Sequence, residues 1–344
     1  SGTNLGQVTS GNLTLKLEYV SPADSTKVIQ SVRSKYDSFG NPTNILDPLA
    51  IAPGGAVDLA RGHVRELTYD ARFHTYPITE IIHLGAGKEP LLFEAAYDEG
   101  FGTVISSTDF NAHTTTYGYD PLARITHIVK PGDTPAYPTL EYDYTLAIRF
   151  PLSPAGEGQG EGLVNSIETR QLDKTPGTAG QRRDHYFISR QFVDGFGRKL
   201  MVKTEAEPVP GSSAPRVVVT GAAQFNARQQ PARVLNPCFS SLTGSLDDLL
   251  AFEHIEDPRW TGSFALGSSL VTLDLAAAHA TRSDYDGTLR PTRVANPDGT
   301  YRHTVYEPLI TRSFDENQAD PAPPYSANSM VHHNDGLGRL VQVD

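Results

Sequence analysis

Aspartate and glutamate are the reactive side chains that this sequence supplies most freely. Of its 344 residues, 40 are acidic and 29 are Lys or Arg, for a formal net charge of −11. A pair of carboxylates performs acid and base chemistry in glycosidases, but only when the two are held at a defined separation. Acidic residues here occur along the whole chain, so no pair stands out. We predict no catalytic residue; a polysaccharide-active enzyme would need two carboxylates converging in a cleft.

The cysteine and histidine residues do not indicate a catalytic or metal site. Cys238 is the single cysteine, so neither an internal disulfide nor a multi-cysteine zinc site is possible. The 11 histidines are scattered, and the adjacent pair His332 and His333 does not form the H-E-x-x-H spacing of a zinc site. The G-x-S-x-G elbow of serine hydrolases is also missing. We therefore predict no metal and no cofactor.

Two polar stretches have an alternative reading as ligand sites. Residues 151–162 are rich in glycine, but no Lys-Ser/Thr follows them and their glutamates would repel phosphate, so we expect a loop. The loop with Asp315, Glu316, Asn317 and Asp320 offers oxygen ligands for Ca²⁺, yet lacks the EF-hand pattern. Neither stretch changes the prediction.

The charge and hydropathy of the chain exclude two classes of partner. Phosphate binding depends on Lys and Arg, so an acidic chain of pI about 5.4 argues against a nucleic acid partner. No run of the sequence reaches the roughly 18–20 apolar residues that a membrane helix needs. We expect no membrane insertion by this segment.

The elements that position the aspartates are short strands joined by turns. Between Tyr285 and Tyr306 the sequence reads YDGTLRPTRVANPDGTYRHTVY, with β-forming residues after each of two turn signals. Asp286-Gly287 and Asn296-Pro297-Asp298-Gly299 are the turns, because Asp-Gly between β-rich runs favours a hairpin whose turn needs residues that tolerate positive φ.

The same phrase recurs along the chain, and repetition at this period indicates an array of similar units. Each copy has an aromatic residue or its replacement, then Asp or Asn, then Gly or Arg a few residues later, and then a β-branched run. The copies open at Tyr36-Asp37, Tyr69-Asp70, Tyr97-Asp98, Tyr119-Asp120, Val193-Asp194, Phe225-Asn226, Tyr285-Asp286 and Asn334-Asp335. The repeat-signature residues are Tyr36, Asp37, Tyr69, Asp70, Tyr97, Asp98, Tyr119, Asp120, Asp194, Gly197, Tyr285, Asp286, Asp298, Gly299, Asp335 and Gly338.

We interpret these residues as architectural. Asp shapes turns through its side chain. Tyr at the same place in successive hairpins is expected to stack on its neighbours while its hydroxyl finds a partner. The alternative is a row of tyrosines that stacks on carbohydrate.

The phrase resembles the YD repeat, also called the RHS repeat. Its order resembles the repeat-bearing midsection of the B component of bacterial ABC-type (Tc) insecticidal toxin complexes, most clearly over residues 97–133, 193–207 and 285–317. The resemblance covers most of the chain and is weakest at residues 1–30 and 240–280.

The resemblance implies both a fold and a role. The fold is all-β, with repeated antiparallel hairpins in a curved or spiralling sheet. The role is a non-enzymatic shell segment that encapsulates a toxic C-terminal polypeptide, secreted or displayed by a bacterium. The implied partners are the rest of the shell, from the same or a partner protein such as the C component with its cargo, and a pore-forming A component. An extracellular adhesion or carbohydrate-binding YD-repeat protein is the alternative.

The domain organisation follows from the same interpretation. We expect residues 1–344 to be one repeat segment cut from a longer polypeptide. Flexible loops are predicted near 151–162 and 173–184, and a helical insertion near 245–280. Ser245 is the expected N-cap of a first helix there, since Asp247 and Asp248 follow it.

Overall fold

The computed structural model describes residues 11–20, 28–52, 56–151, 161–173, 185–240, 244–252, 264–266, 269–271, 280–319 and 328–344. Within these ranges the protein is almost entirely antiparallel β-structure, as the repeats predict. The chain divides into two compact units, residues 1–141 and 142–344.

The first unit is an up-and-down meander in which each strand pairs with the strands before and after it. Alternating and β-branched sequences such as Thr114–Tyr119 favour this extended structure. A 3₁₀ turn at Pro48–Ala50 interrupts the series. The strands are β1 (Leu15–Tyr19), β2 (Val28–Tyr36), β3 (Pro42–Leu46), β4 (Val64–Tyr69), β5 (Pro77–His83), β6 (Leu91–Asp98), β7 (Thr103–Thr108), β8 (Thr114–Tyr119), β9 (Ile125–Val129) and β10 (Leu140–Pro151), which continues into the second unit.

This meander is largely a single layer. Most of its strand residues are exposed or half-buried on both faces. Its one cluster of buried apolar residues, in the described part of the unit, is Leu46, Ala50 and Val64 beneath the 3₁₀ turn. Asp47 caps that turn by accepting the Ala50 N–H at 2.9 Å. With so small a core, the pairing between strands must supply much of this unit's order.

The second unit holds two larger groups of strands. In the first, β11 (Glu161–Leu172), β12 (Tyr186–Asp194), β13 (Lys199–Ala206), β14 (Arg216–Thr220) and β17 (Cys238–Phe239) pair in that order. The second group is a separate eight-stranded sheet. It pairs β15 (Ala223–Phe225), β16 (Pro231–Leu235), β20 (Ala280–Tyr285), β21 (Pro291–Ala295), β22 (Tyr301–Glu307), β23 (Ile310–Phe314), β24 (Met330–Asn334) and β25 (Leu340–Val343).

A hydrophobic core joins these two sheets. Phe192, Met201 and Val219 come from the first group and Leu235 from the second, and Phe252 packs with them at a ring distance of 5.2 Å from Phe192. These side chains are at most 5% exposed. Burying a side chain of this size stabilises a fold by roughly 1.5–3 kcal/mol, so the second unit is held by packing as well as by pairing.

The predicted helical insertion near 245–280 is only partly helical. Helix α1 (Leu246–Leu249) begins at Ser245, whose hydroxyl accepts the Asp248 N–H while the Asp248 carboxylate accepts the Ser245 N–H, so the expected N-cap is confirmed. A two-stranded hairpin follows, β18 (Phe264–Leu266) with β19 (Ser269–Val271). The second helix predicted over residues 273–279 lies outside the described residues. A further short helix, α2 (Glu316–Ala319), begins after Asp315.

The two predicted flexible loops lie mostly outside the described residues. The residues of the predicted loops that the structure does describe, at the ends of the loops, differ from the prediction. Pro151 ends β10, and Glu161 and Gly162 belong to β11. Asp173 is paired through its N–H with the His185 carbonyl at 2.7 Å.

Candidate functional site: the Tyr-Asp turns

Each repeat is a hairpin whose outgoing strand ends at the signature aromatic position or at the aspartate after it, and whose return strand begins just after the turn. The turn closes in the same way in most copies. In the last copy, for example, the Asp335 N–H donates to the Arg339 carbonyl at 2.9 Å, and the Gly338 N–H donates to the Asp335 carbonyl at 2.9 Å.

The signature aspartate stabilises this turn with its carboxylate. In the copy at Asp286, one carboxylate oxygen accepts the N–H groups of Thr288 at 2.8 Å and Arg290 at 2.9 Å. Asp37, Asp120, Asp194 and Asp335 bind the N–H groups two and four residues ahead in the same way, and so does Asp109, which was not among the predicted signature residues. Because the carboxylate satisfies donors that the hairpin cannot use itself, Asp at this position is a structural requirement.

An arginine four residues after the aspartate reinforces four of the turns. Its Nε donates to the second carboxylate oxygen at 2.6–2.7 Å in Asp120–Arg124, Asp194–Arg198, Asp286–Arg290 and Asp335–Arg339. The exposure of the pairs differs: the Arg198 side chain is 27% exposed and that of Arg339 is 74% exposed. Exposed ion pairs contribute little to the stability of a fold, so we expect the less exposed pair of Asp194 and Arg198 to stabilise its turn the most.

These bonds lower the pKa of the carboxyl groups of Asp37, Asp120, Asp194, Asp286 and Asp335. For Asp286, the N–H of Arg290 is the largest cause of the lowered pKa. Burial opposes it as the next largest effect, and the side chains of Arg290 and Thr288 add to the lowering. Burial is the largest single effect on the pKa of Asp70 and would raise it, but the N–H groups of Tyr76, Phe73, Thr75 and Arg72 together lower it. Carboxyl groups held in the ionised form in this way are poor general acids at neutral pH.

The position of the positive φ angle differs from the sequence prediction. The Gly directly after Asp was expected to take it, yet Gly195, Gly287 and Gly336 do not. The residue three places after Asp does, as Gly197 (φ 78°), Leu289 (φ 68°) and Gly338 (φ 78°) show. The turn is therefore longer than the two-residue type that Asp-Gly signals. In the turn from Asn296, Gly299 holds this position (φ 91°), and Asp298 binds the Thr300 N–H at 2.9 Å.

Every copy also contains a feature that the sequence did not reveal. The strand register shifts next to the signature aromatic position, so that the return strand carries one extra residue. In the copy at Tyr285, for example, Asp284 pairs with Arg293 and Tyr285 with Pro291, which leaves Thr292 as the extra residue. Such bulges increase the local twist of a sheet.

The signature tyrosines join neighbouring hairpins through their hydroxyl groups. Four of the five donate to a main-chain carbonyl on the preceding strand or just before it, and Tyr97 does not. The links are Tyr36 to Leu13 at 2.9 Å, Tyr69 to Pro42 at 3.1 Å, Tyr119 to Val104 at 2.8 Å and Tyr285 to Pro231 at 3.0 Å. Tyr306, which was not among the predicted signature residues, makes the same link to Pro291 at 3.1 Å. We call these five bonds the tyrosine links.

The predicted stacking of successive signature tyrosines does not occur among the described residues. Such tyrosines are two strands apart, roughly 10 Å, which is too far for stacked rings. Tyr97 stacks instead on Tyr76, within 5.1 Å, and the Tyr76 hydroxyl donates to the Glu99 carbonyl in the turn that begins at Asp98. That turn is also stabilised by Asp98, which accepts the Gly100 N–H at 2.8 Å.

One open groove lies on a face of the first unit. It has a volume of about 460 Å³, and Arg65, Glu80, Phe93, Tyr97 and Asp109 are among the residues that line it. Glu80 is paired with Arg65, and Asp109 binds N–H groups of its own turn. Glu80 and Asp109 thus make structural contacts; Glu94 is the third carboxylate that lines the groove.

A second group that sequence reasoning missed is a row of charges buried in the second unit. Glu168, Arg190 and Lys203 lie opposite one another across β11, β12 and β13. Lys203 is fully buried and donates to the Leu249 carbonyl at 2.8 Å, while Arg190 donates to Glu168 and to the Leu250 carbonyl. The two cations thus bind carbonyls at the C-terminal end of α1, where positive charge is favoured. The row fixes α1 on the sheet.

The residues considered from the sequence as metal ligands make structural contacts instead, or lie outside the described residues. His333 contacts Asp344 at 2.9 Å, and Asp315 accepts the Gln318 N–H at 2.8 Å at the start of α2. Asp320 lies outside the described residues. No cluster of three metal-binding side chains occurs among the residues that the structure describes. In that same part of the chain, no helix is long and apolar enough to cross a membrane.

Comparison with known proteins yields a fold. No family model matches the chain, and no curated protein matches it. Solved structures do match. One is TcdB2-TccC3-TEV, with a TM-score of 0.60 at 16% identity over 96% of this chain. Another is TcdB2-TccC3 without its hypervariable C-terminal region, with a TM-score of 0.60 at 15% identity over 96%. A third is the Tc holotoxin pore of Photorhabdus luminescens with a TccC3 mutation. Its TM-score is 0.61 at 16% identity over 95% of this chain.

The matched region is a small part of those proteins. This chain covers 18% of each of the three matched chains. At this identity the likeness shows the fold, and it confirms the all-β repeat architecture that the sequence predicts.

Proposed function

We propose that this chain is a non-enzymatic wall segment of a YD/RHS-repeat shell that encloses a toxic C-terminal polypeptide in a bacterial toxin complex. The observation that carries the proposal is the first unit: one layer of hairpins, each joined to the next, with little core of its own. A wall must be continuous and must cover a large area. A repeat array meets both needs, because each unit contacts the next and further units can be added. The fold likeness to TcdB2-TccC3 over nearly the whole chain supports the same conclusion.

The structural contacts of the signature residues are enough to explain why they recur. The aspartates hold turns and the tyrosines hold neighbouring hairpins, and both kinds of contact are spread along the sheet. An active site would gather such residues at one place. A carbohydrate-binding tyrosine row, the alternative, would leave the hydroxyls available for sugar, whereas those of four of the five signature tyrosines, and that of Tyr306, are bound to main-chain carbonyls.

The partners and location follow as parts of the proposal. The wall would be completed by further repeats of the same or a partner protein, and the closed shell would dock on a pore-forming component. A secreted or surface-displayed bacterial complex is the setting in which such a container is needed.

The test is protection of a cargo. The full native polypeptide that carries this chain is purified with the proteins encoded beside it and treated with a protease under native conditions. We expect the C-terminal polypeptide to resist cleavage until the repeats are unfolded with urea. Cleavage of that polypeptide at the same rate before and after unfolding would contradict containment.

A second experiment separates the alternatives. The 344-residue chain is assayed on a glycan array and with polysaccharide substrates. We expect neither binding nor turnover. Specific glycan binding that Tyr97→Ala abolishes would favour the carbohydrate-binding function instead.

A further inference from the structure

Two arginines in the eight-stranded sheet of the second unit face each other across neighbouring strands. Arg233 of β16 and Arg282 of β20 are directly opposite in the strand register. Side chains at opposite positions have their Cβ atoms about 4.5–5.5 Å apart, and like charges placed there destabilise a sheet. Among the residues that the structure describes, neither guanidinium has an ion pair, a hydrogen bond or a ring contact. We call Arg233 and Arg282 the arginine pair.

Other arginines on the same face of this sheet lie beside a carboxylate. Arg293 is 3.9 Å from Asp284 on the neighbouring strand, and Arg312 is 3.5 Å from Glu307. Carboxylates are not scarce, because the chain has 40 acidic residues against 29 Lys or Arg. The arginine pair therefore differs from its neighbours in having no described acid beside it.

The residues on either side of the arginine pair leave room for a ligand. Gln224 of β15 lies opposite Arg233, and Ala295 of β21 lies opposite Arg282, so the four residues form one row across four strands. Arg233 is half-buried and Arg282 is exposed. Because Ala295 has a small side chain, that position does not cover the guanidinium of Arg282.

The arginine pair also lies at the margin of the core between the two sheets. Leu235 and Ala280 are opposite each other on the same two strands, two residues from the pair, and both pack in that core. Alternate residues of a strand share a face. Charges beside a buried apolar surface are screened less by salt than charges on an open surface, so an anion at this place is attracted more strongly.

The shape and charge of the site favour a carboxylate. A guanidinium presents its donors in a planar fork that matches a carboxylate through two parallel hydrogen bonds. Phosphate fits the same fork, but a ligand with many phosphates meets the repulsion of a chain whose net charge is −11. A peptide with separated acidic side chains carries less charge, and its backbone can lie over the small side chain of Ala295.

We propose that the arginine pair is a binding site for a glutamate or aspartate side chain of an acidic peptide segment from outside this chain. The carboxylate lies between the two guanidinium groups and removes the repulsion between them. The site depends on the register of β16 and β20 and not on the proposed shell, so its failure would not bear on cargo protection.

The test titrates the 344-residue chain with a fluorescein-labelled peptide of alternating glutamate and alanine, followed by fluorescence anisotropy at low salt. We expect saturable binding that weakens as salt is added, because screening shortens the reach of the charges. The same peptide with glutamine in place of glutamate should bind at least about tenfold more weakly, since the charge-assisted hydrogen bonds are lost.

Three variants of the chain locate the binding. Arg233→Gln and Arg282→Gln should each weaken peptide binding about tenfold. Arg302→Gln is the matched control, because Arg302 is an exposed arginine opposite Val294 on the other face of the same sheet. It should leave binding unchanged. Equal weakening by all three variants would show attraction to overall charge and would overturn the proposal.

Thermal unfolding without peptide separates an open site from one that the chain fills itself. We expect Arg282→Gln to raise the melting temperature slightly, because it removes the repulsion between like charges. A lower melting temperature, together with no peptide binding by the unsubstituted chain, would mean that the pair already holds a carboxylate of this chain and would overturn the proposal. Binding of inorganic phosphate without binding of the peptide would overturn it as well.

The same titration of the full native polypeptide distinguishes two sources of the acidic segment. Binding as strong as that of the 344-residue chain would support a segment supplied by a partner. Binding by the 344-residue chain alone would support a segment of the same polypeptide that already occupies the arginine pair.

Discussion

The signature aspartate is where a single side chain decides most of the local structure. Asp286 binds the N–H groups of Thr288 and Arg290 and the side chain of Arg290. These bonds require the ionised form, which is why the pKa of Asp286 lies well below its ordinary value.

A pH-dependent loss of stability follows from this lowered pKa. Because the folded protein holds Asp286 ionised, the contribution is fully present above the ordinary Asp pKa of about 3.9 and declines as pH falls below it. We expect Asp286→Asn to lower the urea midpoint at pH 7 and to differ less from the unsubstituted chain at pH 3. Asp284→Asn, an exposed neighbour in the same hairpin, is the control and should change little at either pH.

The tyrosine hydroxyl makes an equally local prediction. Tyr285→Phe keeps the ring but leaves the Pro231 carbonyl without its donor, so we expect a loss of about 1 kcal/mol in the free energy of unfolding. Tyr19→Phe alters an exposed ring, 59% accessible, and should be neutral. Equal effects of the two changes in urea unfolding would argue against the tyrosine link as a source of stability.

At the scale of the hairpin, backbone conformation separates two neighbouring glycines. Gly197 has φ 78°, whereas Gly195 has an ordinary φ and no atom lies within 4 Å of the place that an added Cβ would occupy. Gly197→Ala should therefore cost about 1 kcal/mol and Gly195→Ala much less. Thermal unfolding of the two variants checks this, and a reversed order would mean that the turn closes at the other glycine.

Between strands, the ring of His127 packs against the glycine at position 118. A Cβ on Gly118 would lie 1.9 Å from the ring of His127 on the neighbouring strand. We expect Gly118→Ala to be destabilising and the addition of His127→Ala to recover part of the loss. Circular dichroism melts of the single and double variants measure the recovery; its absence would place the strain in the backbone of β8.

Some features of the fold could be predicted from the sequence and others could not. Tyr-Asp pairs at a recurring position were enough to predict hairpins, and the spacing of Asp and Arg in Asp286 and Arg290 was visible in the sequence. The extra residue on each return strand was not, because a bulge such as Thr292 has no residue type of its own. The buried row of Glu168, Arg190 and Lys203 was also missed, since pairing register alone brings these residues together.

For the whole molecule, a chain of neighbour-to-neighbour links predicts unfolding that is local as well as global. Each hairpin contacts chiefly the hairpins beside it, so damage to one should spread only a short distance. We expect Tyr285→Phe to speed hydrogen exchange in β16, β20 and β21 and to leave β4 to β9 unchanged. Uniformly faster exchange along the chain would show instead that all the repeats unfold together.

The acceptors in the tyrosine links are main-chain carbonyls, and this has a consequence for how such a protein can diverge. The five accepting positions hold Leu13, Pro42, Val104, Pro231 and Pro291, and any residue would offer the same oxygen. Within a tyrosine link, only the donor tyrosine is constrained in type. The residues at the accepting positions can therefore change without loss of these bonds, so low sequence identity to a structure of the same fold, such as 16% over 96% of this chain, is to be expected.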